Sequence, residues 1–293
     1  MEKKYILTDR TKEVDGHILH RIQAIKDFGN VHNGDLGGWI ESEDNLSQEG
    51  ECWVRDEAMV YENATIQYSA QIYDHAKVYG NADIRGNARI HGHAEILGHA
   101  YIHSFARVYD YANVYGNADI FNEAQVYDHA KIAGHTHIFG NAQVYGYAWI
   151  SGDGVNIYGH AQVYDCASVN CKAEIYGNAM VFGQARIQDR AKICDQAKVY
   201  GSAIISGYAR ISGYARICED AIVECNLDYM DFHNNWSSGR HFTWTRSNNK
   251  WAVGCFHGTG EELIKRAYED NEKKGKCYEA IVRAQELIAK INN

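Results

Sequence analysis

The side chains of this 293-residue chain that could carry chemistry recur at a fixed interval. Tyr73, His91, Tyr109, Tyr127, Tyr145, Tyr164, Phe182 and Tyr200 follow one another eighteen residues apart, with one step of nineteen before Tyr164. Two places before them stand Gln71, Arg89, Arg107, Gln125, Gln143, Gln162, Met180 and Lys198. Aromatic rings beside Arg and Gln suit recognition, since rings and guanidinium groups stack on nucleobases, sugars or another protein and are enriched at interfaces. Ten residues therefore form a candidate binding face: Tyr73, Arg89, His91, Arg107, Tyr109, Gln125, Tyr127, Gln143, Tyr145 and Tyr164. Rings in register also stabilise each other with their hydroxyls in water. The same face could join copies of the chain, so stabilisation, self-association and ligand binding all stay open.

A second set of candidates is catalytic by type. His75, His93, His99, His129, His135 and His160 each precede a regularly spaced small residue. Imidazole titrates near neutrality and suits general-base work. A base also needs a cleft and a partner, and the spacing supplies neither, so no residue is assigned a catalytic role. Cys255 and His257 could meet His233 or His241, but no four-ligand spacing is present. No metal site is expected, and Cys255 is expected to pack in a core. No phosphate-binding glycine loop, nucleophile elbow or HExxH helix occurs.

A six-residue period places these columns. Alanine recurs every sixth residue from Ala58 to Ala148, with Thr136 the one substitute, and Ile or Val follows two places later. After one extra residue within 151–156 the phase resumes at Ala161 and Val163 and runs to Ala221 and Val223. Six is not a helical period; it marks a solenoid whose units bury their apolar face against neighbours. Three hexads make a triangular coil of eighteen residues, and coils stack about 4.8 Å apart. Proline is absent, where about fifteen would be ordinary. Stacked coils use nearly every backbone N–H, which proline lacks. Gly, Asp or Asn recur two places after the branched residue, as at Gly92, Asp110 and Asp128, where a tight corner needs positive φ. The extra residue in 151–156 predicts a bulge.

The phrase Val78-Tyr-Gly-Asn-Ala-Asp, repeated at Val114-Tyr-Gly-Asn-Ala-Asp, resembles the hexapeptide repeat of left-handed parallel β-helix proteins, and the repeat covers about 166 of 293 residues. The ends resemble bacterial and prophage-encoded proteins of that class, often labelled transferases. The likeness lies in segments 5–9, 18–25, 44–50 and 251–256, in Gly34-Asp-Leu-Gly-Gly-Trp-Ile40 and in Thr259-Gly-Glu-Glu262. The resemblance implies an all-β solenoid, a left-handed parallel β-helix of about nine triangular coils. Acyltransferases of the class bind acyl-CoA between the subunits of a trimer and use a His base and a projecting loop. The loop-bearing motif is missing here, so none of their catalytic positions carries over.

The flanks read as caps for otherwise naked strand edges. An N-terminal cap over 1–51 contains a hairpin turning at Asp15-Gly16, and the β-helix spans 52–225. A C-terminal α+β cap over 226–293 contains a hairpin around Ser247-Asn-Asn249. Thr259 and Glu262 form a capping box for a helix over roughly 260–270, and Tyr278, Ile281, Val282, Gln285 and Ile288 mark a second helix.

The formal charge is −9, and residues 1–57 carry 7 Lys/Arg against 13 Asp/Glu. That balance argues against sequence-independent DNA binding. No apolar run suits a signal peptide or membrane span, and the eight cysteines show no CxxC pairing. A cytoplasmic protein with buried or half-buried reduced thiols is expected. The expected function is non-catalytic binding without a cofactor, in a phage or prophage setting. The aromatic/Gln/Arg face would hold a host protein or sequester a small nucleotide-like ligand. The alternatives are a trimeric acyltransferase using acyl-CoA and a self-assembling rod, with homo-oligomers open in each.

Overall fold

The computed structural model describes residues 3–291 and is a β-solenoid of about ten turns. Each hexad contributes a short strand, usually two residues, that pairs in parallel with the strand one coil on. Gln71 lies beside Arg89 and Arg89 beside Arg107, while Ile72, Ile90 and Val108 follow in the same register. Three sheets result, of thirteen, ten and nine strands. The repeated Ala and Ile/Val side chains fill the interior and are fully buried from Ala58 to Val223, Ala82 being 1% exposed. Burying each branched side chain contributes about 1.5–3 kcal/mol, and alanine fits where the triangle narrows.

The corners explain the Gly/Asp/Asn position. Gly92 has φ +69°, and a Cβ there would lie 2.7 Å from the backbone N of Asp110. Asp110 and Asp128 hold the same left-handed conformation, which Asp tolerates better than most residues. Aspartate has a further use at this position. The carboxylates of Asp74, Asp128 and Asp165 accept the backbone N–H of Gly92, Gly146 and Gly183, 3.0–3.1 Å away and one coil on.

The extra residue within 151–156 is a bulge. His135 pairs with Asp153 but Thr136 pairs with Val155, so Gly154 is the residue skipped. Thr136 stays fully buried in the alanine position, and its hydroxyl donates to the Ala133 carbonyl at 2.7 Å.

The N-terminal hairpin joins Tyr5–Val14 to His17–Ala24. Asp15 and Gly16 both have positive φ, as a two-residue turn between twisted strands requires. Leu36–Ile40 pairs antiparallel with that hairpin and parallel with Met59–Val60. The N-terminal segment thus lays down part of a coil, giving about ten turns where the hexads alone predict nine. Lys4 plugs the end of the prism. It is 1% exposed, and its Nζ donates to the carbonyls of Glu49, Gly50 and Cys52 at 3.0–3.3 Å.

The C-terminal part contains a four-stranded antiparallel sheet, Tyr229–Asn234, Arg240–Thr245, Lys250–Val253 and Phe256–Thr259. The hairpin expected around Ser247-Asn-Asn249 joins Arg240–Thr245 to Lys250–Val253, while Tyr229–Asn234 and the separate strand Phe256–Thr259 are additions to the sequence reading. Helices α1 (Gly260–Asp270) and α2 (Glu272–Ile291) follow, and Thr259 and Glu262 form the expected capping box. Tyr278, Val282 and Gln285 are buried, but Ile288 is half exposed and is not a core residue. The cysteine expectation also needs correction. Cys166, Cys171, Cys225 and Cys255 are exposed, because they occupy corners and turns rather than inward positions, and Cys255 is not in a core. No helix among the described residues is long and apolar enough to cross a membrane.

Candidate functional site

The ten-stranded sheet carries the predicted columns. Tyr73, His91, Tyr109, Tyr127, Tyr145 and Tyr164 stack with ring centroids 4.6–4.9 Å apart and planes within 4° of parallel. Phe182 and Tyr200 continue the stack. Arg89, Arg107, Gln125 and Gln143 run beside it in strict register, and the Tyr109 hydroxyl donates to Gln125 Oε1 at 3.2 Å. All ten sequence-derived residues therefore share one face. Partial burial raises the hydroxyl pKa of Tyr73, Tyr109 and Tyr145, and takes Tyr127 and Tyr164 to about 12. Burial lowers the imidazole pKa of His91. Clefts lie at the two ends of the column.

At the N-terminal end, Tyr73 and Arg89 line an open cleft of about 650 Å³ with Arg55, Gln71 and Asn30 of the N-terminal segment. Arg55 is one coil below Tyr73 and donates to Asn30 Oδ1. Among the described residues, His91 is the ring stacked on Tyr73, so the column begins at this cleft.

At the other end, the C-terminal sheet docks against the last coils and encloses a cleft of about 520 Å³. Lys198 and Arg216 reach it from the ten-stranded sheet, Tyr214 from a neighbouring corner, and Arg240 and His241 from the C-terminal sheet. The His241 ring lies between Tyr214 and His233, with centroids 4.4 and 4.6 Å away. Its Nδ1 is 3.3 Å from Asp231 Oδ2 on the adjacent strand. Thr243 Oγ1 donates to the other Asp231 oxygen at 2.7 Å and accepts the Arg216 backbone N–H at 3.0 Å. The docking contact that attaches the sheet to the coils therefore also orients the carboxylate behind His241. This is an imidazole–carboxylate pair at the wall of a cationic cleft, an arrangement that serves general-base chemistry.

None of the six corner histidines weighed from the sequence lines either cleft. His75 and His93 stack at 4.9 Å, and the stack continues through Tyr111, His129 and Tyr147 on an exposed corner. The His241 site was missed as a pair. The available signal was the alternation of Asp231 with His233 and of His241 with Thr243, which places facing side chains on neighbouring strands once 229–234 is read as a strand. Among the described residues no three His, Cys, Asp or Glu side chains gather as metal ligands.

No protein-family model matches the chain. Over 50 residues it is 46% identical to a protein named "Uncharacterized acetyltransferase YdcK" from Escherichia coli (strain K12). That stretch is 17% of this chain and 15% of that protein, far less than two thirds of its length.

Proposed function

We propose that the protein transfers an acyl group from a coenzyme A thioester to an amine or hydroxyl acceptor in the cleft beside His241. The observation that carries this reading is the 3.3 Å approach of Asp231 to His241 Nδ1 at a cleft lined by Lys198, Arg216 and Arg240. With its proton on Nδ1 and directed to Asp231, the imidazole keeps the Nε2 lone pair free. Nε2 takes the proton of the acceptor, whose nitrogen or oxygen attacks the thioester carbonyl carbon. The C–S bond breaks as the tetrahedral intermediate collapses, and the leaving thiolate takes the proton back from the imidazolium. The three cations suit the phosphates of such a donor. The short likeness to a protein named an acetyltransferase supports the same reaction class.

The test is acetyl-CoA consumption with a panel of amines and alcohols, read as free CoA. Acceptor-dependent release should fall about 100-fold in His241→Gln and about 10-fold in Asp231→Asn. No release above background from the wild-type chain across the panel would overturn the reading.

A second reading is binding at the start of the aromatic column, supported by the cleft that Tyr73 and Arg89 share with Arg55. A host protein or nucleotide-like ligand held there would be displaced by Tyr73→Ala and untouched by His241→Gln.

A further inference from the structure

A third cavity, of about 270 Å³, lies between the C-terminal sheet and the two helices. Arg240 and Gly254 line both this cavity and the His241 cleft, so the two are neighbours across one arginine. Arg266 and Asp270 of α1 and Lys274 and Tyr278 of α2 complete the relevant lining. Counted together, the two cavities are lined by Lys198, Arg216, Arg240, Arg266 and Lys274 against one acidic residue, Asp270. Asp270 is already paired with Lys274. This concentration of positive charge stands on a chain whose formal charge is −9, and a concave site of one sign focuses its field on an incoming anion.

Tyr278 supplies an independent sign of a ligand. It is 2% exposed, its ring meets Phe242 edge-on at 4.8 Å, and its buried hydroxyl has no hydrogen-bond partner. Buried hydroxyls are nearly always paired, so one left open in a cavity wall marks a place for a missing partner. Arg240 and Arg266 line the same cavity as this hydroxyl, Arg266 resting over the Phe256 ring, and an anionic acceptor oxygen suits that set of donors. Guanidinium groups bind phosphoryl oxygens through two parallel N–H bonds, and a neutral hydroxyl adds a third donor.

We infer that this cavity binds the phosphate ester group of a ligand whose remainder crosses Arg240 into the His241 cleft. Arg240 and Arg266 hold the phosphoryl oxygens and Tyr278 donates its hydroxyl, while Lys198 and Arg216 meet any further anionic group. The inference stands on the chemistry of the cavity and does not require acyl transfer.

Titration calorimetry of the full chain with inorganic pyrophosphate tests it. One saturable site is expected, weakened at least 10-fold in Arg266→Ala and about 5-fold in Tyr278→Phe. Arg190→Ala, which removes a cation from a separate cleft, should leave affinity unchanged. Because the Tyr278 hydroxyl has no partner in the free protein, Tyr278→Phe should keep the thermal midpoint while losing affinity. A lowered midpoint with unchanged affinity would overturn the inference, as would no binding to folded wild-type chain at millimolar pyrophosphate. His241→Gln should bind pyrophosphate normally, so failure of acyl transfer and failure of this site are read separately.

Discussion

The hydroxyl of Tyr200, the last ring of the aromatic column, lies 2.6 Å from Nε2 of His257 in the C-terminal sheet. Burial raises the Tyr200 pKa. Partial desolvation, with nearby Arg216, lowers the His257 pKa. Both groups are therefore neutral at pH 7, with Tyr200 donating and His257 accepting. The folded pKa of His257 lies below its ordinary 6.5, so its contribution is present above about 6.5 and is lost as pH falls through the folded value. Amides of residues 250–259 should exchange faster at pH 5 than at pH 7.5, after correction for intrinsic rates. Tyr200→Phe should cost less than about 1 kcal/mol, because solvent competes for an exposed bond. Equal protection at the two pH values would contradict the account.

The opposite end should respond with the opposite sign. His17 Nδ1 is 3.0 Å from Glu41 and its Nε2 is 3.5 Å from Glu62. The hydrogen bond to Glu41 raises the His17 pKa above 6.5 and lowers that of Glu41 below 4.5. The His17 contribution is present below about 6.5 and lost as pH rises through its raised value, while the Glu41 contribution is lost as pH falls through its lowered value. The hairpin over 5–24 should thus be best protected near pH 5–6, where the C-terminal sheet loosens. Glu41→Gln should weaken that pH dependence, leaving the smaller part due to Glu62 and Asp15. If exchange in 17–24 shows none in the wild type, the pair does not hold the turn.

The corner pairs predict two unequal substitutions. Gly92→Ala places a methyl 2.7 Å from the backbone N of Asp110 at φ +69°, and that backbone is fixed in the ladder. A loss of about 2 kcal/mol or more is expected. Asp74→Ala removes the acceptor of the Gly92 N–H and puts alanine at φ +58°, so it should cost about 1–2 kcal/mol, most of it restored by Asn. Urea midpoints at constant slope measure both. A Gly92→Ala midpoint equal to the wild type would mean that the corner yields.

These examples show what the sequence could carry. The inward Ala and Ile/Val positions and the stacked rings are set by arithmetic on a fixed period, since each residue's neighbour is eighteen places away. The His241 site is not set that way. Asp231 and His241 meet through the pairing of their two strands, and Tyr214 and Lys198 join them where the Arg216 N–H docks on Thr243. Nothing in the period encodes that docking. Lys4 is similar: a charged residue near the terminus reads as surface, and only the open end of the prism with its free carbonyls makes burial favourable. The exposed cysteines were misplaced for the converse reason, because residue type suggested burial where the corner phase points outward.

The aromatic column makes a prediction at high pH. Burial, then the neighbours Tyr109 and Tyr145, takes Tyr127 to about 12, and burial followed by Tyr145 does the same for Tyr164. Ionising one ring places a charge in a stack whose neighbours are 4.9 Å away on each side. The folded pKa exceeds the ordinary 10.0, so the stabilisation is complete below pH 10 and is lost as pH rises through about 12. Tyrosinate absorbance should therefore show a late phase near pH 12 that shrinks in Tyr127→Phe and again in Tyr127→Phe/Tyr164→Phe. Because phenylalanine cannot ionise, the double variant should keep more of its neutral-pH stability at pH 11 than the wild type does. Tyr127→Glu places the charge there permanently and should destabilise the fold at pH 7 in a way that Phe does not. A late phase unchanged by both Phe substitutions would mean that the column rings reach water individually and do not act as a stack.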